Sequence, residues 1–172
     1  MTATQFDALP VEDGRRWELL DGELIEMSSA TAGHNDVEAE LLLSLRFFMK
    51  SRRLGRVIPD TEFAFGEDRL RPDLSILLQS KWIQVDRDKV PVRIIPDIAV
   101  EIVSPSEVAG NLERKVAVYI ETGVAEVWVI HAPRQYMYVH TSDSIRKLRS
   151  SEALSTPLLP GWSLPLAELF AP

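Results

Sequence analysis

The sequence contains no cysteine and only three histidines among its 172 residues. Without cysteine, neither a disulfide nor a thiolate metal site can form, and the lack of disulfides agrees with a reducing cytoplasm. Residues 1–10 lack the basic start and apolar run of a secretory signal, and no apolar run approaches the roughly 18 residues of a membrane span. We therefore expect a cytoplasmic protein that has no membrane partner.

Basic residues are also fewer than acidic residues. Nineteen Lys and Arg residues stand against 26 Asp and Glu residues, which gives a formal net charge of −7. Such a chain does not attract a polyanion as a whole, so a nucleic-acid coat or architectural protein is not expected. An enzyme could still contact nucleic acid through a metal and a local patch. Lys50, Arg52, Arg53 and Arg56 form a basic run of that kind, for which a solvated helix end is the simpler interpretation.

Length and composition fit one domain of ordinary size. Hydrophobic residues make up 45% and charged residues 26% of the chain, values typical of a soluble globular protein. We expect residues 1–172 to form a single domain, with an N-terminal arm over 1–14 and a long loop over 79–95. The sequence has no internal repeat.

An N-terminal β-hairpin is the clearest local signal. Two short runs, 17–20 and 23–27, flank Asp21-Gly22, a dipeptide typical of tight hairpin turns. Glu18 and Glu23 flank the turn, and we interpret both as exposed edge charges that discourage sheet aggregation.

Periodicity predicts the remaining elements. The first long helix covers 34–53, carries the apolar stripe Val37, Leu41, Leu45 and Phe48, and ends at Gly55. A strand, a crossover helix and another strand then predict a parallel βαβ unit within an α/β fold. The predicted elements after the first helix are strands over 56–59 and 61–66, a turn at 67–69, strands over 70–78 and 96–103, a helix over 107–122 with core residues Leu112, Val116, Tyr119 and Ile120, a strand over 124–130, a hairpin of 135–140 with 144–148, and a short helix over 166–170.

Two of the predicted core strands carry a carboxylate. Asp73 and Glu101 lie among residues that pack in a core, and a buried ionised carboxylate must be paired, hydrogen-bonded or bound to a metal. If the two strands are neighbours in matching register, both carboxylates point into the same space. A divalent cation relieves the repulsion between them. Oxygen ligands, with no cysteine and few histidines, favour Mg²⁺ or Mn²⁺ over zinc.

Three further residues are candidates for the same site. Lys115 lies at the border of the apolar stripe of its helix, where its stem can cover the sheet while its ammonium reaches a strand end. His34 is in line with the stripe of the earlier helix and Glu38 lies beside it, so both can face the sheet. The simpler interpretations are a surface lysine, a histidine hydrogen-bonded near a helix start, and a glutamate that favours a helix N-terminus.

Together these residues resemble the Uma2 family of restriction endonuclease-like proteins, a bacterial group within the PD-(D/E)XK nuclease superfamily. The resemblance extends from about residue 17 to residue 170. The motifs that carry it are Asp21-Gly22-Glu23, Gly33-His34, Arg71-Pro72-Asp73, Pro96-Asp97 with 100–106, 115–119, and Gly123-Val124 with 126–128.

The resemblance implies a restriction endonuclease-like fold of the α/β (α+β) class, with a mixed central sheet flanked by helices. It also implies metal-dependent cleavage of DNA, with Asp73 and Glu101 as ligands of Mg²⁺ or Mn²⁺. His34 and Glu38 match an early helix that can add an acid or a base to the site.

The resemblance departs from the superfamily pattern at Val103. A lysine usually stands two residues after the glutamate, at this position. Lys115 matches the place on the next helix from which members of this family supply the lysine, which implies Lys115 as the catalytic cation.

Two functions stay open from the sequence. The joint placement of Asp73, Glu101 and Lys115 favours a metal-dependent endonuclease with DNA as its substrate. The acidic net charge and Val103 favour a catalytically weak or inactive nuclease fold that acts in binding or assembly. A homodimer is expected. A glycosidase with two catalytic carboxylates is least favoured, because the lysine has no role in it.

Overall fold

The computed structural model describes residues 1–10, 16–105 and 109–171. The strands are β1 (Trp17–Leu20), β2 (Glu23–Glu26), β3 (Gly55–Pro59), β4 (Phe63–Phe65), β5 (Asp68–Leu70), β6 (Leu74–Leu78), β7 (Ile98–Ile102), β8 (Glu126–His131), β9 (Tyr136–His140), β10 (Ile145–Arg149), β11 (Ala153–Ser155) and β12 (Ser163–Pro165). The helices are α1 (Ala3–Asp7), α2 (Ala32–Arg52), α3 (Gln79–Trp82), α4 (Ala109–Glu121) and α5 (Leu166–Leu169).

A six-stranded mixed sheet is the centre of the fold. Its strand order is β10-β9-β8-β7-β6-β3, in which β7 and β8 are parallel and the other neighbours are antiparallel. The chain passes from β7 through α4 to β8, which confirms the predicted βαβ unit. A second sheet, of order β2-β1-β5-β4, contains the predicted N-terminal hairpin. The predicted fold class is therefore confirmed.

Helices cover both faces of β7, which is why its residues form a nearly continuous apolar run. Ile98, Val100 and Ile102 pack in one core cluster with the buried stripe of α2. Ala99 packs in the other cluster, with residues of α4. Glu101 alternates with the first group and so shares the α4 side with Ala99. This alternation places the carboxylate of Glu101 on the α4 side of the sheet, where it is buried.

The segment predicted as one strand over 70–78 is divided, and that prediction was wrong. β5 ends at Leu70 in the small sheet, and β6 begins at Leu74 in the central sheet. Pro72 lies between them, and a proline removes a ladder donor and restricts the residue before it. The predicted turn at 67–69 was also misplaced, because β5 already begins at Asp68. Asp73 therefore lies just before β6, at the point where the chain enters the central sheet.

The end of α2 also differs from its prediction. Arg53, and not Gly55, is the left-handed residue at the helix end, with φ of 56°. Gly55 begins β3 with φ of 131°, and a Cβ there would lie 2.0 Å from the carbonyl oxygen of Leu77. Position 55 therefore requires glycine, because β3 approaches β6 too closely there for a side chain.

Two other segments are more ordered than predicted. The predicted loop over 79–95 begins with α3, and Val92 makes an isolated parallel bridge with Phe63. Near the end of the chain, β11 and β12 form a strand pair that was not predicted. Trp162, between these two strands, stacks on Trp128 of the central sheet with 5.7 Å between ring centroids.

The predicted N-terminal arm contains α1, and residues 11–14 of that arm lie outside the described residues. Within the described part of the chain, no helix has both the length and the apolar character needed to cross a membrane.

Candidate active site

All five predicted site residues line one pocket. Its volume is about 440 Å³, and its walls come from the hairpin, the first turns of α2, the ends of β6 and β7, and α4. The five are His34, Glu38, Asp73, Glu101 and Lys115. Residues far apart in the sequence therefore converge on one space.

Asp73 is positioned by the pairing of β6 with β7. Leu74 pairs with Val100, so Asp73 and Glu101 are the next positions along the two strands. Oδ2 of Asp73 accepts a hydrogen bond of 2.6 Å from the backbone N–H of Ile102. Oδ1 lies 3.1 Å from Nε2 of His34, and 22% of the side chain stays exposed. The carboxylate is thus oriented by the sheet and remains open to the pocket.

His34 and Glu38 bring the first turns of α2 to the same carboxylate. Oγ1 of Thr31 caps the helix by accepting a hydrogen bond of 3.2 Å from the backbone N–H of His34. Nε2 of His34 lies 3.9 Å from Oε2 of Glu38, one helical turn further on. His34, Glu38 and Asp73 each offer one ligand atom, and these atoms lie within 4.8 Å of one another. Two carboxylates and an imidazole form a donor set that suits a divalent cation.

Burial raises the pKa of Glu38 above its ordinary value of 4.5, and the negative charge of Asp73 raises it further. The proximity of His34 opposes this shift. Ionisation of Glu38 is therefore less favourable in this pocket than in water, and a nearby cation would offset this difference.

Replacing Glu38 by glutamine is expected to raise the melting temperature at pH 7 in buffer that contains EDTA. Because the folded protein raises the pKa of Glu38, the stability that comes from protonating this carboxyl is present below about pH 4.5 and is lost as the pH rises. The neutral amide of glutamine does not ionise, so the variant keeps this stability at pH 7. The difference in melting temperature between the variant and the wild type should therefore be smaller at pH 4 than at pH 7. Thermal unfolding at both pH values measures it.

Glu40→Gln is the matched control, because Glu40 is an exposed glutamate of the same helix. It should change the melting temperature little at either pH. The expectation is contradicted if the Glu38→Gln protein melts below the wild type at pH 7. It is also contradicted if the difference in melting temperature is the same at both pH values.

Lys115 is held between two buried carboxylates. Its Nζ lies 2.9 Å from Oε2 of Glu18 and 3.3 Å from Oε2 of Glu101. Only 8% of the lysine side chain is exposed. The two carboxylates fix the position of the ammonium. The predicted placement of the ammonium over a strand end agrees with this geometry.

Tyr119 fixes the other oxygen of Glu101. Its hydroxyl donates a hydrogen bond of 2.5 Å to Oε1. Burial raises the pKa of Tyr119 well above its ordinary value of 10.0, and the negative charges of Glu101 and Glu18 add to this effect. The hydroxyl therefore stays protonated and remains a donor. The apolar periodicity of α4 predicted only a core position for Tyr119, although its place one turn after Lys115 indicated that both share a helix face.

The prediction that Glu18 is an exposed edge charge was wrong. Its side chain is almost completely buried, and besides its contact with Lys115 it accepts a hydrogen bond of 2.7 Å at Oε1 from the backbone N–H of Arg71. Glu23 is exposed as predicted, and it pairs with Arg114 of α4. The signal that could have identified Glu18 is its location in a strand with leucines at 19 and 20, both of which are buried.

Arg71 is a pocket residue that sequence analysis treated only as part of a motif. Its Nη2 lies 3.0 Å from Oε2 of Glu62. Burial raises the pKa of Glu62, while the positive charge of Arg71 opposes that shift. The structure therefore groups Asp73 with His34 and Glu38, groups Glu101 with Lys115, and adds Glu18, Tyr119 and Arg71 around them.

A mixed sheet with helices on both faces, and a pocket with carboxylates where β6 begins and β7 ends, are features that the resemblance to restriction endonuclease-like proteins implies. The Uma2 family model, described as "Putative restriction endonuclease", matches residues 3–167. The chain belongs to the Uma2 family.

A crystal structure of a putative nuclease from Anabaena variabilis is similar to this chain, with a TM-score of 0.87. The match covers 99% of this chain and 98% of that chain at 19% sequence identity, so the likeness is one of fold. No curated protein matches the sequence.

Proposed function

We propose that this protein is a divalent-metal-dependent endonuclease that hydrolyses DNA phosphodiester bonds. The observation that carries the proposal is the content of one pocket, in which a carboxylate and imidazole donor set accompanies a buried lysine held by two carboxylates. Membership of the Uma2 family supports the same class of reaction.

Asp73 and Glu101 are the proposed ligands of Mg²⁺ or Mn²⁺, and His34 and Glu38 lie close enough to Asp73 to complete the donor set. The hard carboxylate oxygens and the open face of Asp73 fit such a cation. When bound, the cation stabilises charge on phosphoryl oxygens and makes water a better nucleophile. Tyr119 and Lys115 hold Glu101 in one orientation, so its approach to the cation is set in advance.

The charge of the pocket explains why a phosphate would need a cation there. Its lining has twice as many carboxylates as basic side chains, so it repels the negative charge of an approaching phosphodiester. The carboxylates are Glu18, Glu26, Glu38, Asp60, Asp73 and Glu101, and the basic side chains are Arg16, Arg71 and Lys115.

Lys115 is the proposed catalytic cation of the protein itself. Its ammonium is preorganised by Glu18 and Glu101, so no reorganisation is needed when negative charge develops on the phosphoryl group. The superfamily pattern has its lysine at the position of Val103, and in this protein Lys115 of α4 would take over that role.

The second candidate function is a binding or assembly module, and one observation favours it. Leu43 and Phe47 lie one turn apart on α2, and their side chains are 62% and 82% exposed. Adjacent exposed apolar side chains on a helix can contribute to a contact surface when they belong to a contiguous patch. A homodimer formed through this part of α2 is compatible with either function.

Calorimetric titration with Mn²⁺ and cleavage of supercoiled plasmid DNA together test the proposed function. We expect the wild-type protein to bind Mn²⁺ and to nick the plasmid in Mg²⁺ or Mn²⁺, and we expect EDTA to stop the reaction. If neither metal binding nor cleavage of supercoiled, linear or single-stranded DNA is detected, the binding module is the better description.

A further inference from the structure

A row of aromatic rings lies on the β8–β9–β10 part of the central sheet, apart from the residues that line the pocket. The ring face consists of His131 of β8 and Tyr136, Tyr138 and His140 of β9. Centroid distances between successive rings are 4.6, 5.6 and 6.1 Å. All four side chains are half-buried, so part of each ring is accessible.

Strand register explains why these rings share one face. Tyr136, Tyr138 and His140 alternate along β9, and Tyr136 pairs with His131 on the neighbouring strand. On the other side of β9, Lys147 of β10 pairs with Tyr138. Met137 and Val139 point to the opposite side, where they pack in the core with α2. This part of the sheet therefore has core residues on the α2 side and the four rings on the other side, where Tyr138 also packs against the second core cluster.

Positive charge surrounds the ring face, in contrast to the acidic chain as a whole. The segment from 131 to 149 contains four basic residues and one acidic residue, whereas the protein has a formal net charge of −7. The basic residues are Arg134, Arg146, Lys147 and Arg149, and all four are exposed. Lys147 and Arg149 pair with Tyr138 and Tyr136 and share the ring face, whereas Arg146 pairs with Val139 and lies on the opposite face. The Nζ of Lys147 lies 4.1 Å from the ring centroid of Tyr136 and 5.6 Å from that of Tyr138.

We propose that the ring face binds single-stranded nucleic acid by stacking its bases on these rings and pairing its phosphates with the surrounding basic side chains. Aromatic rings interspersed with cations form the sequence-tolerant platform on which single strands bind. A duplex has its bases stacked internally and cannot use such rings, so the single strand is preferred.

Lys147 covers part of Tyr136 when nothing is bound, and its position fits this role. An exposed cation–π contact is weaker than base stacking, so a base can displace the ammonium from the ring. The flexible stem of the lysine then allows the ammonium to reach a phosphate. Burial lowers the pKa of His131, and the nearby charges of Arg134 and Lys147 lower it further, so the imidazole is a neutral stacking ring at pH 7.

The test is a fluorescence anisotropy titration of the intact protein in EDTA, with a labelled 20-nucleotide DNA strand, the RNA strand of the same sequence, and the DNA duplex. EDTA prevents metal-dependent cleavage, so the outcome is independent of the proposed nuclease function. Binding of either single strand more tightly than the duplex supports the proposal.

Two variants test whether the ring face is the binding site. Tyr136→Ala should weaken single-strand binding by about 5- to 100-fold, the loss expected for one stacked base. Lys147→Gln, at an exposed position, should weaken binding and reduce its dependence on salt. Lys89→Gln is the matched control for Lys147→Gln, because Lys89 is an exposed lysine outside the ring face, and it should bind nearly as the wild type does.

Three results would overturn the proposal. These are the absence of single-strand binding, duplex binding that is equal or tighter, and wild-type affinity in the Lys147→Gln protein. If Tyr136→Ala lowers the melting temperature, Lys147→Gln decides the question alone.

Discussion

Asp73→Asn is expected to reduce metal-dependent DNA cleavage by at least about a thousandfold, which corresponds to roughly 4 kcal/mol of transition-state stabilisation. The substitution removes the charge of the carboxylate that faces His34 and Glu38. An amide oxygen can still accept the hydrogen bond from the backbone N–H of Ile102, so the junction with β7 is retained. Plasmid cleavage, calorimetric titration with Mn²⁺ and thermal unfolding should show lost activity and weakened metal binding in a folded protein.

Asp60→Asn is the matched control for this experiment. Asp60 lines the same pocket but pairs with Arg16 at its exposed side. It adopts φ of 41°, a left-handed conformation that asparagine also tolerates. The control should bind Mn²⁺ and cleave DNA at close to the wild-type rate. Equal losses in the two variants would show that general pocket charge, and not ligation by Asp73, controls the reaction.

Lys115→Met is expected to abolish cleavage and also to lower the free energy of unfolding by about 3–5 kcal/mol, because it leaves Glu18 and Glu101 buried without their ammonium. Methionine has a similar length and keeps the apolar part of the contact. Urea unfolding and plasmid cleavage measure the two effects separately.

The double variant Lys115→Met with Glu18→Gln separates stability from catalysis. Glutamine removes one of the two stranded charges and can still accept the hydrogen bond from the backbone N–H of Arg71. We expect the double variant to recover much of the lost stability and none of the activity. Recovery of cleavage together with stability would contradict the catalytic role of Lys115.

The local parts of the fold were predictable because their causes are local. Asp21 and Gly22 both adopt positive φ, which allows the tight turn between β1 and β2. The apolar stripe of α2 and the order of β7, α4 and β8 are determined by side-chain periodicity, which the sequence displays directly.

The parts that could not be predicted depend on tertiary contacts. The division between β5 and β6 depends on two sheets meeting at the residues around Pro72. Glu18 lies between Trp17 and Leu19 in a short strand, a setting that an edge strand could also show, and its burial depends on tertiary contacts with Lys115 and the backbone of Arg71. In the site, spacing indicated Asp73, Glu101 and Lys115, whereas their grouping required the packing of α2 and α4 on the sheet.

The ammonium of Lys115 has a consequence for the cooperativity of the molecule. This ammonium contacts Glu18 of β1 in the small sheet and Glu101 of β7 in the central sheet. Three elements from distant parts of the chain, β1, β7 and α4, are therefore connected by one buried ion-pair network. Separation of the hairpin from the central sheet would break the buried Glu18–Lys115 ion pair, which makes such a partial opening costly. We therefore expect the hairpin and the core to unfold together, as one cooperative unit.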